Sequence, residues 1–421
     1  MSPIGAWKSL KPQQKRSGLA GWLGWMFDGL DMHIYTLVAT PFVAALLMTA
    51  TTDPQVGMKS SIIQAAFLAG WAFGGLLFGV IGDRIGRSRT LVLTILCYSI
   101  FCGLSAFVQN WQQLMVCRFF SALGIGGEWA VGAALLSESL PKKWAPWIAG
   151  VLQSAVNVGV LLACLAGWVM EKNESPRWIF LVGVAPALIT LWIRHAVPET
   201  AEWTAAQKTT AHPRIRELFA PGQASVTLRV LLICGVALTA HWAFMFWQQS
   251  FIRQHPEIAG LDASFKNRAA NTALAVLMVS SIMGNFLASF LATRWGYGRA
   301  MAFLAVLYGA SMAACFAVPW SYSTTLNWFA LIGVCQGIFG LFTMCLPPLF
   351  PTLLRTTGAG FCYNFGRLAA AGGTVFFGIF NKPDEPGRAL LVASVLFIPA
   401  ALLTYWLPSP REDAAQAEVL D

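Results

Sequence analysis

Twelve apolar runs, each long enough to cross a hydrocarbon layer, divide the chain. They lie at about 18–48, 61–82, 90–108, 112–138, 147–170, 177–197, 227–250, 271–293, 299–319, 326–350, 358–380 and 388–407. A helix crosses a bilayer with about 20 such residues. Several runs are longer, so tilt or kinks are expected, with Pro41, Pro347 and Pro348 as kink positions. Only 11% of the 421 residues are charged, while 57% are hydrophobic. That balance excludes a disordered chain and leaves a soluble globule too much apolar surface to hide. The pattern predicts an all-α protein with the lipid bilayer as its solvent.

The net charge of +9 would suggest nucleic acid in a soluble protein. Orientation explains it better. With the N-terminus placed inside, 18 of the 28 Lys and Arg fall on the inner side and 8 on the outer. Two remain within spans, Arg118 and Arg367. The bias puts both termini in the cytoplasm and removes nucleic acid as a partner. Met1 to Gly18 is basic and polar and does not read as a signal peptide. The longest polar stretch, 198–225, separates six runs from six. The expected division is an N-terminal bundle over 1–200, a cytoplasmic loop over 201–226, and a C-terminal bundle with a short tail over 227–421. Nine cysteines all fall in apolar runs without metal-ligand spacing, so they read as packing residues.

The two halves repeat one feature. After the second run of the first half stands Gly79-Val-Ile-Gly-Asp83-Arg84-Ile-Gly86-Arg87-Ser-Arg89. At the same place in the second half stands Arg294-Trp-Gly296-Tyr-Gly-Arg299, with Thr293 where Asp83 would be. This loop pattern resembles that of the major facilitator superfamily, and the likeness covers nearly the whole chain. Arg118 with Gly124, Gly126 and Gly127, and Pro198-Glu199-Thr200, resemble two further motifs of the family. Asp28-Gly-Leu-Asp31 resembles the first-span motif of aromatic-acid:proton symporters. Gly126-Gly-Glu128-Trp129 resembles the sialate and monocarboxylate branch. Phe350-Pro-Thr-Leu-Leu-Arg355 and Asn364-Phe-Gly-Arg367 resemble the end of both groups. Span five, Gly150 to Gly159, lacks the Gly-Pro pair of the drug/proton antiporters.

The resemblance implies twelve transmembrane helices in two pseudo-symmetric six-helix bundles, working by alternating access. It implies a plasma-membrane symporter of a small organic anion with protons as coupling ion and no other cofactor. A monomer is expected. The alternatives are a symporter of a neutral or cationic metabolite such as a sugar, polyol or betaine, a drug/proton antiporter, and a non-transporting receptor. No Gly-x-x-x-x-Gly-Lys-Ser/Thr loop for nucleotide occurs. No nucleophile–base pair or metal cluster suggests an enzyme.

A charge at mid-bilayer costs on the order of 2.5–3.5 kcal/mol on insertion scales, so each one asks for a function. Asp28, Asp31 and Glu128 are the candidate proton carriers. Asp31 and Arg118 both lie about 20 Å from the inner face by helical rise, so they are expected to pair. Asp28, Asp31 and Tyr35 are expected on one helix face. Arg367 lies about 14 Å deep, with Asn364 one turn before it. His241, Trp242 and Gln248 on span seven, and Gln153 and Asn157 on span five, reach similar depths. Arginine binds carboxylate through a planar fork, so Arg118 and Arg367 are the candidate anion sites. The expectation is that protonated Asp31 releases an arginine to the substrate. Gly79, Asp83, Arg84, Gly86, Arg87 and Glu138 form the candidate cytoplasmic gate. The resemblance implies that Asp83 rests on the N-terminus of span eleven.

Overall fold

A computed structural model describes residues 10–50, 53–170, 177, 179–184, 192, 196–209, 214–380 and 386–407. Among these residues there are helices and no strands. The first half contains α1 (Pro12–Leu47), α2 (Pro54–Ile85), α3 (Arg87–Leu104), α4 (Trp111–Ser139), α5 (Ala145–Met170) and the short α6 (Ile179–Val182). The second half contains α8 (Ala224–Arg253), α9 (Ala263–Trp295), α10 (Tyr297–Ala317), α11 (Tyr322–Cys335), α12 (Gly337–Cys345), α13 (Arg355–Phe380), α14 (Pro386–Val395) and α15 (Phe397–Tyr405). Between the halves, α7 (Ala201–Thr209) and a 3-10 turn at Ile215–Phe219 occupy a segment expected as loop.

Nine helices among the described residues are long and apolar enough to cross a membrane. Two more, α1 and α13, have the length and carry the charges: Asp28 and Asp31 on one, Arg367 on the other. The sixth expected span, 177–197, lies largely outside the described residues.

Helix starts follow local chemistry. Pro12 and Pro54 open α1 and α2, where a missing N–H costs nothing. Asn110 and Asp262 cap α4 and α9 by accepting from Gln113 N (2.9 Å) and Phe265 N (2.8 Å). Gly86 and Gly296 join the second and third spans of each half at φ of 106° and 80°, the left-handed region that favours glycine. The repeat read from the sequence is thus a repeated backbone turn.

The kinks fall partly elsewhere than expected. Helix α1 runs through Pro41 unbroken. The tenth span breaks at Gln336, between α11 and α12, and ends at a 3-10 turn over Pro347–Leu349. The last span breaks between α14 and α15, where the Pro399 ring would meet the Val395 carbonyl of a continuous helix.

Helices α1 and α5, α2 and α4, and α3 and α4 pack within the first half; α8 and α13, and α9 and α11, pack within the second. The halves meet along two seams, α2 on α13 and α5 on α9. Polar side chains gather between these seams.

Candidate functional site: a central cavity and a charge cluster at one end

A cavity of about 100 Å³ opens between the halves, reached by α1, α2, α4 and α5 from one side and by α8, α9, α12 and α13 from the other. Arg367 of α13 reaches into it. Its Nη1 donates to Asn364 Oδ1 (2.7 Å), and Asn364 Nδ2 donates to Gly360 O (2.8 Å), so Asn364 fixes the guanidinium without facing the cavity itself. The guanidinium carbon stands 3.9 Å from the Trp71 ring centre and 4.6 Å from that of Tyr363. Trp129 lies 6.0 Å away and stacks on Tyr363 at 3.9 Å and 7°. These rings take the flat faces of the cation and leave the in-plane N–H groups not donated to Asn364 for a ligand. No carboxylate forms a salt bridge with Arg367 among the described residues, and its buried Nε has no hydrogen-bond partner.

Beside it are two carboxyl groups. Asp28 lines the cavity, and Glu128 of α4 faces it within hydrogen-bonding reach. Both Glu128 oxygens and Asp28 Oδ1 are buried without a donor. Two ionised carboxylates only accept, so a hydrogen bond between them requires a proton. Glu128 lies so close to α1 that a Cβ on Gly24 would fall 1.7 Å from its Oε1. Gly24 and Asp28, four residues apart, together shape the slot that holds this pair.

The other buried charges form a closed unit. Arg118 Nη1 donates to both oxygens of Asp31 at 3.1 Å. Ser121 Oγ donates to Asp31 Oδ2 (3.0 Å) and Cys102 Sγ to Oδ1 (2.6 Å). Arg118 also lies over the rings of Phe67 (4.6 Å) and Tyr35 (5.4 Å), and the Tyr35 hydroxyl donates to Ser60 O. The pairing expected from depth is present. Neither Asp31, Arg118 nor Tyr35 lines the cavity, however. Three residues turn a helix by about 300°, so Asp31 points about 60° away from Asp28, and that rotation separates the two aspartates.

Among the other expected binding residues, Gln153, Asn157, His241 and Trp242 line the cavity. His241 Nδ1 is 3.1 Å from the Tyr308 hydroxyl, and its ring packs on Phe339 at 4.3 Å. Trp242 meets Trp71 edge-on at 5.6 Å. Asn157 Oδ1 accepts from Asn285 Nδ2 of the other half (2.9 Å). Gln248 is buried away from the cavity, because the seven residues from His241 carry it two turns along α8. The aromatic walls Trp25, Trp71, Trp129 and Tyr363, and Gln336 at the helix break, were not singled out as site residues from the sequence. Two of them sit next to charged or polar positions that were: Trp129 beside Glu128 and Tyr363 beside Asn364.

At one end of the bundle a second cluster ties the halves together. Asp83 of α2 accepts from Thr356 N (3.3 Å), Thr357 N (2.8 Å) and Thr357 Oγ1 (2.6 Å), in the first turn of α13. A carboxylate there meets the positive end of the helix dipole. Gly79, one turn earlier, lets α2 approach: a Cβ would be 3.1 Å from Thr356 O. Arg87 pairs with Asp83 (3.0 Å) and Glu138 (2.9 Å) and donates to Thr352 O (2.7 Å). Arg355 adds ion pairs to Glu138 and Glu202. Glu199 caps α3 by accepting from Ser88 N and Arg89 N, and a Cβ on Gly86 would lie 2.4 Å from its carboxyl carbon. Arg84 departs from the expectation. Its side chain is exposed and forms no ion pair among the described residues, because α2 turns it away from α13.

Comparison with known proteins agrees with this geometry. A family model described as Major Facilitator Superfamily matches residues 21–374. The chain is 31% identical over 387 residues to a "Probable 4-methylmuconolactone transporter" of Cupriavidus pinatubonensis, covering 89% of this chain and 86% of the relative. It is 27% identical to the sialic acid transporter NanX of Escherichia coli, with 93% and 94% covered. It is also 27% identical to the cis,cis-muconate transport protein of Acinetobacter baylyi, with 95% of each covered. Among solved structures, the proton:xylose symporter XylE superposes with a TM-score of 0.78 at 14% identity, over 94% of this chain and 96% of that one.

Proposed function

Because the chain belongs to the major facilitator superfamily and is therefore a multi-pass membrane transporter rather than an enzyme, we propose that it carries a small carboxylate together with protons. Arg367 is the anion subsite. The observation that carries this reading is a buried guanidinium, framed by aromatic rings and with no salt bridge to a carboxylate among the described residues, in a cavity between the two halves. A charge in that position needs a counter-ion, and a substrate carboxylate supplies it. Trp71, Trp129 and Tyr363 add flat faces that suit a planar, unsaturated substrate. Two relatives named above carry acids, cis,cis-muconate and sialic acid, and their names support the class.

The proton site is the Asp28–Glu128 pair. Two like charges in contact and away from water are costly, and one proton removes the repulsion. Substrate anion on Arg367 and proton on the pair would enter together and neutralise one another's burial cost. This replaces competition between Asp31 and substrate for an arginine. Asp31 is fully engaged by Arg118, Ser121 and Cys102, and serves as a fixed counter-ion that holds α1 to α4. The Asp83–Arg87–Glu138–Arg355 cluster closes the cytoplasmic end in one conformation, with both termini on that side and the protein in the plasma membrane. The charge bias of the loops supports that orientation.

Uptake into proteoliposomes tests the reading. Radiolabelled cis,cis-muconate and sialic acid should accumulate under an inward proton gradient, and Asp28→Asn should abolish the response to the gradient. Gradient-driven uptake at wild-type level in Asp28→Asn would contradict the proton assignment.

A further inference from the structure

A second cavity, of about 340 Å³, lies near the end of the bundle that carries the Asp83 cluster. Its walls come from the start of α1, the end of α4, the start of α5, and Phe286 of α9 in the other half. Among the described residues its lining holds no charged side chain, and its only polar side-chain atoms are the indole nitrogens of Trp22, Trp144 and Trp147. A carboxylate would find no partner there. Leu19 and Val151 on its wall are also exposed toward the surroundings of the bundle, so the cavity is open to the side.

The mouth differs sharply from the interior. Lys11, Lys15, Gly18, Leu19 and Trp22 follow one another at helical spacing along one face of α1, so two lysines stand directly before three wall residues. Lys142 and Lys143 precede Trp144, and the Lys143 ammonium lies 5.8 Å from the Trp144 ring centre. Gln14 Nε2 donates to Ser139 O (3.0 Å), which holds these two basic segments side by side. No Asp or Glu occurs in residues 10–22 or 139–152. The nearby Glu138 is already engaged by Arg87, Arg355 and Thr200. An apolar slot with four lysines at its mouth is complementary to one kind of molecule, an amphiphile with a hydrocarbon tail and an anionic head.

We propose that this groove binds an anionic phospholipid, with one acyl chain between Trp22, Trp147 and Phe286 and the phosphate at Lys11, Lys15, Lys142 and Lys143. On the orientation given above, the mouth faces the cytoplasmic leaflet. Because Phe286 comes from the opposite half, the bound chain would bridge the α5–α9 seam. The lipid would then favour the conformation in which that seam is closed.

Native mass spectrometry of the purified protein tests this site. The protein is incubated with equimolar phosphatidylglycerol and phosphatidylcholine of identical acyl chains. The wild type is expected to retain phosphatidylglycerol at least about tenfold over phosphatidylcholine, given the usual effect of several lysines at an anionic headgroup. K11Q/K15Q/K142Q/K143Q should lose that preference. Val151→Trp, which fills the groove and leaves the lysines, should lose the retained lipid. Equal retention of the two lipids by the wild type overturns the proposal, and so does a wild-type pattern in either variant. Neither outcome bears on the carboxylate site, whose residues are untouched.

Discussion

Two arginines lie buried within spanning helices, and their surroundings could hardly differ more. Arg118 has 1% of its surface exposed and meets both oxygens of Asp31, a serine-supported carboxylate, with Phe67 and Tyr35 over its faces. Arg367 is 6% exposed, meets three aromatic rings and one amide oxygen, and forms no salt bridge among the described residues. The first has its counter-ion built in and therefore has little left to offer a ligand. The second has positioning partners and a carboxyl group, Asp28, nearby but not in salt-bridge contact, which leaves it able to take a substrate anion. Burial alone, which is nearly equal, cannot tell a structural charge from a functional one; the partner list can.

The largest effect expected from this contrast is on stability. Arg118→Met leaves Asp31 charged and unpaired, and should cost about 3–5 kcal/mol, seen as a lower Tm and poor recovery of folded protein. Replacing both partners, Arg118→Met with Asp31→Leu, should restore most of that loss. If the double variant is no more stable than the single one, the pair is doing something other than balancing charge.

Next comes Arg367→Lys, which keeps the charge and loses the planar fork. Carboxylate uptake should fall on the order of 100-fold, with Tm nearly unchanged. A large drop in Tm with normal uptake would reverse the roles assigned to the two arginines. Asp28→Asn follows. A tenfold proton gradient supplies at most about 1.4 kcal/mol per proton, so uptake should lose a gradient stimulation of about tenfold while exchange of substrate across the membrane persists. The smallest effect belongs to Trp71→Leu. Removing the nearest ring from Arg367 should weaken substrate binding by about 0.5–2 kcal/mol, read as a raised KM with little change in kcat.

The all-α membrane class was legible from one statistic, the length of the apolar runs, because a bilayer leaves few structures that satisfy every backbone group, and the family resemblance implied the two-bundle arrangement. The Asp83 latch was legible too. An acid in a basic loop is anomalous as a topology signal and suits a helix N-terminus, while the family resemblance alone implied that the helix is span eleven. The pairing of Asp31 with Arg118 followed from depth alone. What depth could not give was rotation. Asp28 and Asp31 are close in height yet separated by about 60° around α1, and that angle sends one to the cavity and the other to Arg118. The same coordinate turns Arg84 away from the latch, whereas Gln248 shares the face of His241 and lies two turns too far along α8. The aromatic frame around Arg367 was hidden for a different reason. With 18 tryptophans and 29 phenylalanines in the chain, nothing in composition marks Trp71 or Trp129 among so many others. Their role becomes visible only once α2, α4 and α13 are brought together.

The central claim is that Arg367, and not Arg118, receives the substrate carboxylate. A calorimetric titration of the purified wild type and of Arg367→Gln with cis,cis-muconate, sialic acid and their neutral amides tests it most directly. The account predicts that the wild type binds a free acid and not its amide, and that Arg367→Gln binds neither. Acid binding undiminished in Arg367→Gln, or equal affinity of the wild type for acid and amide, would contradict it.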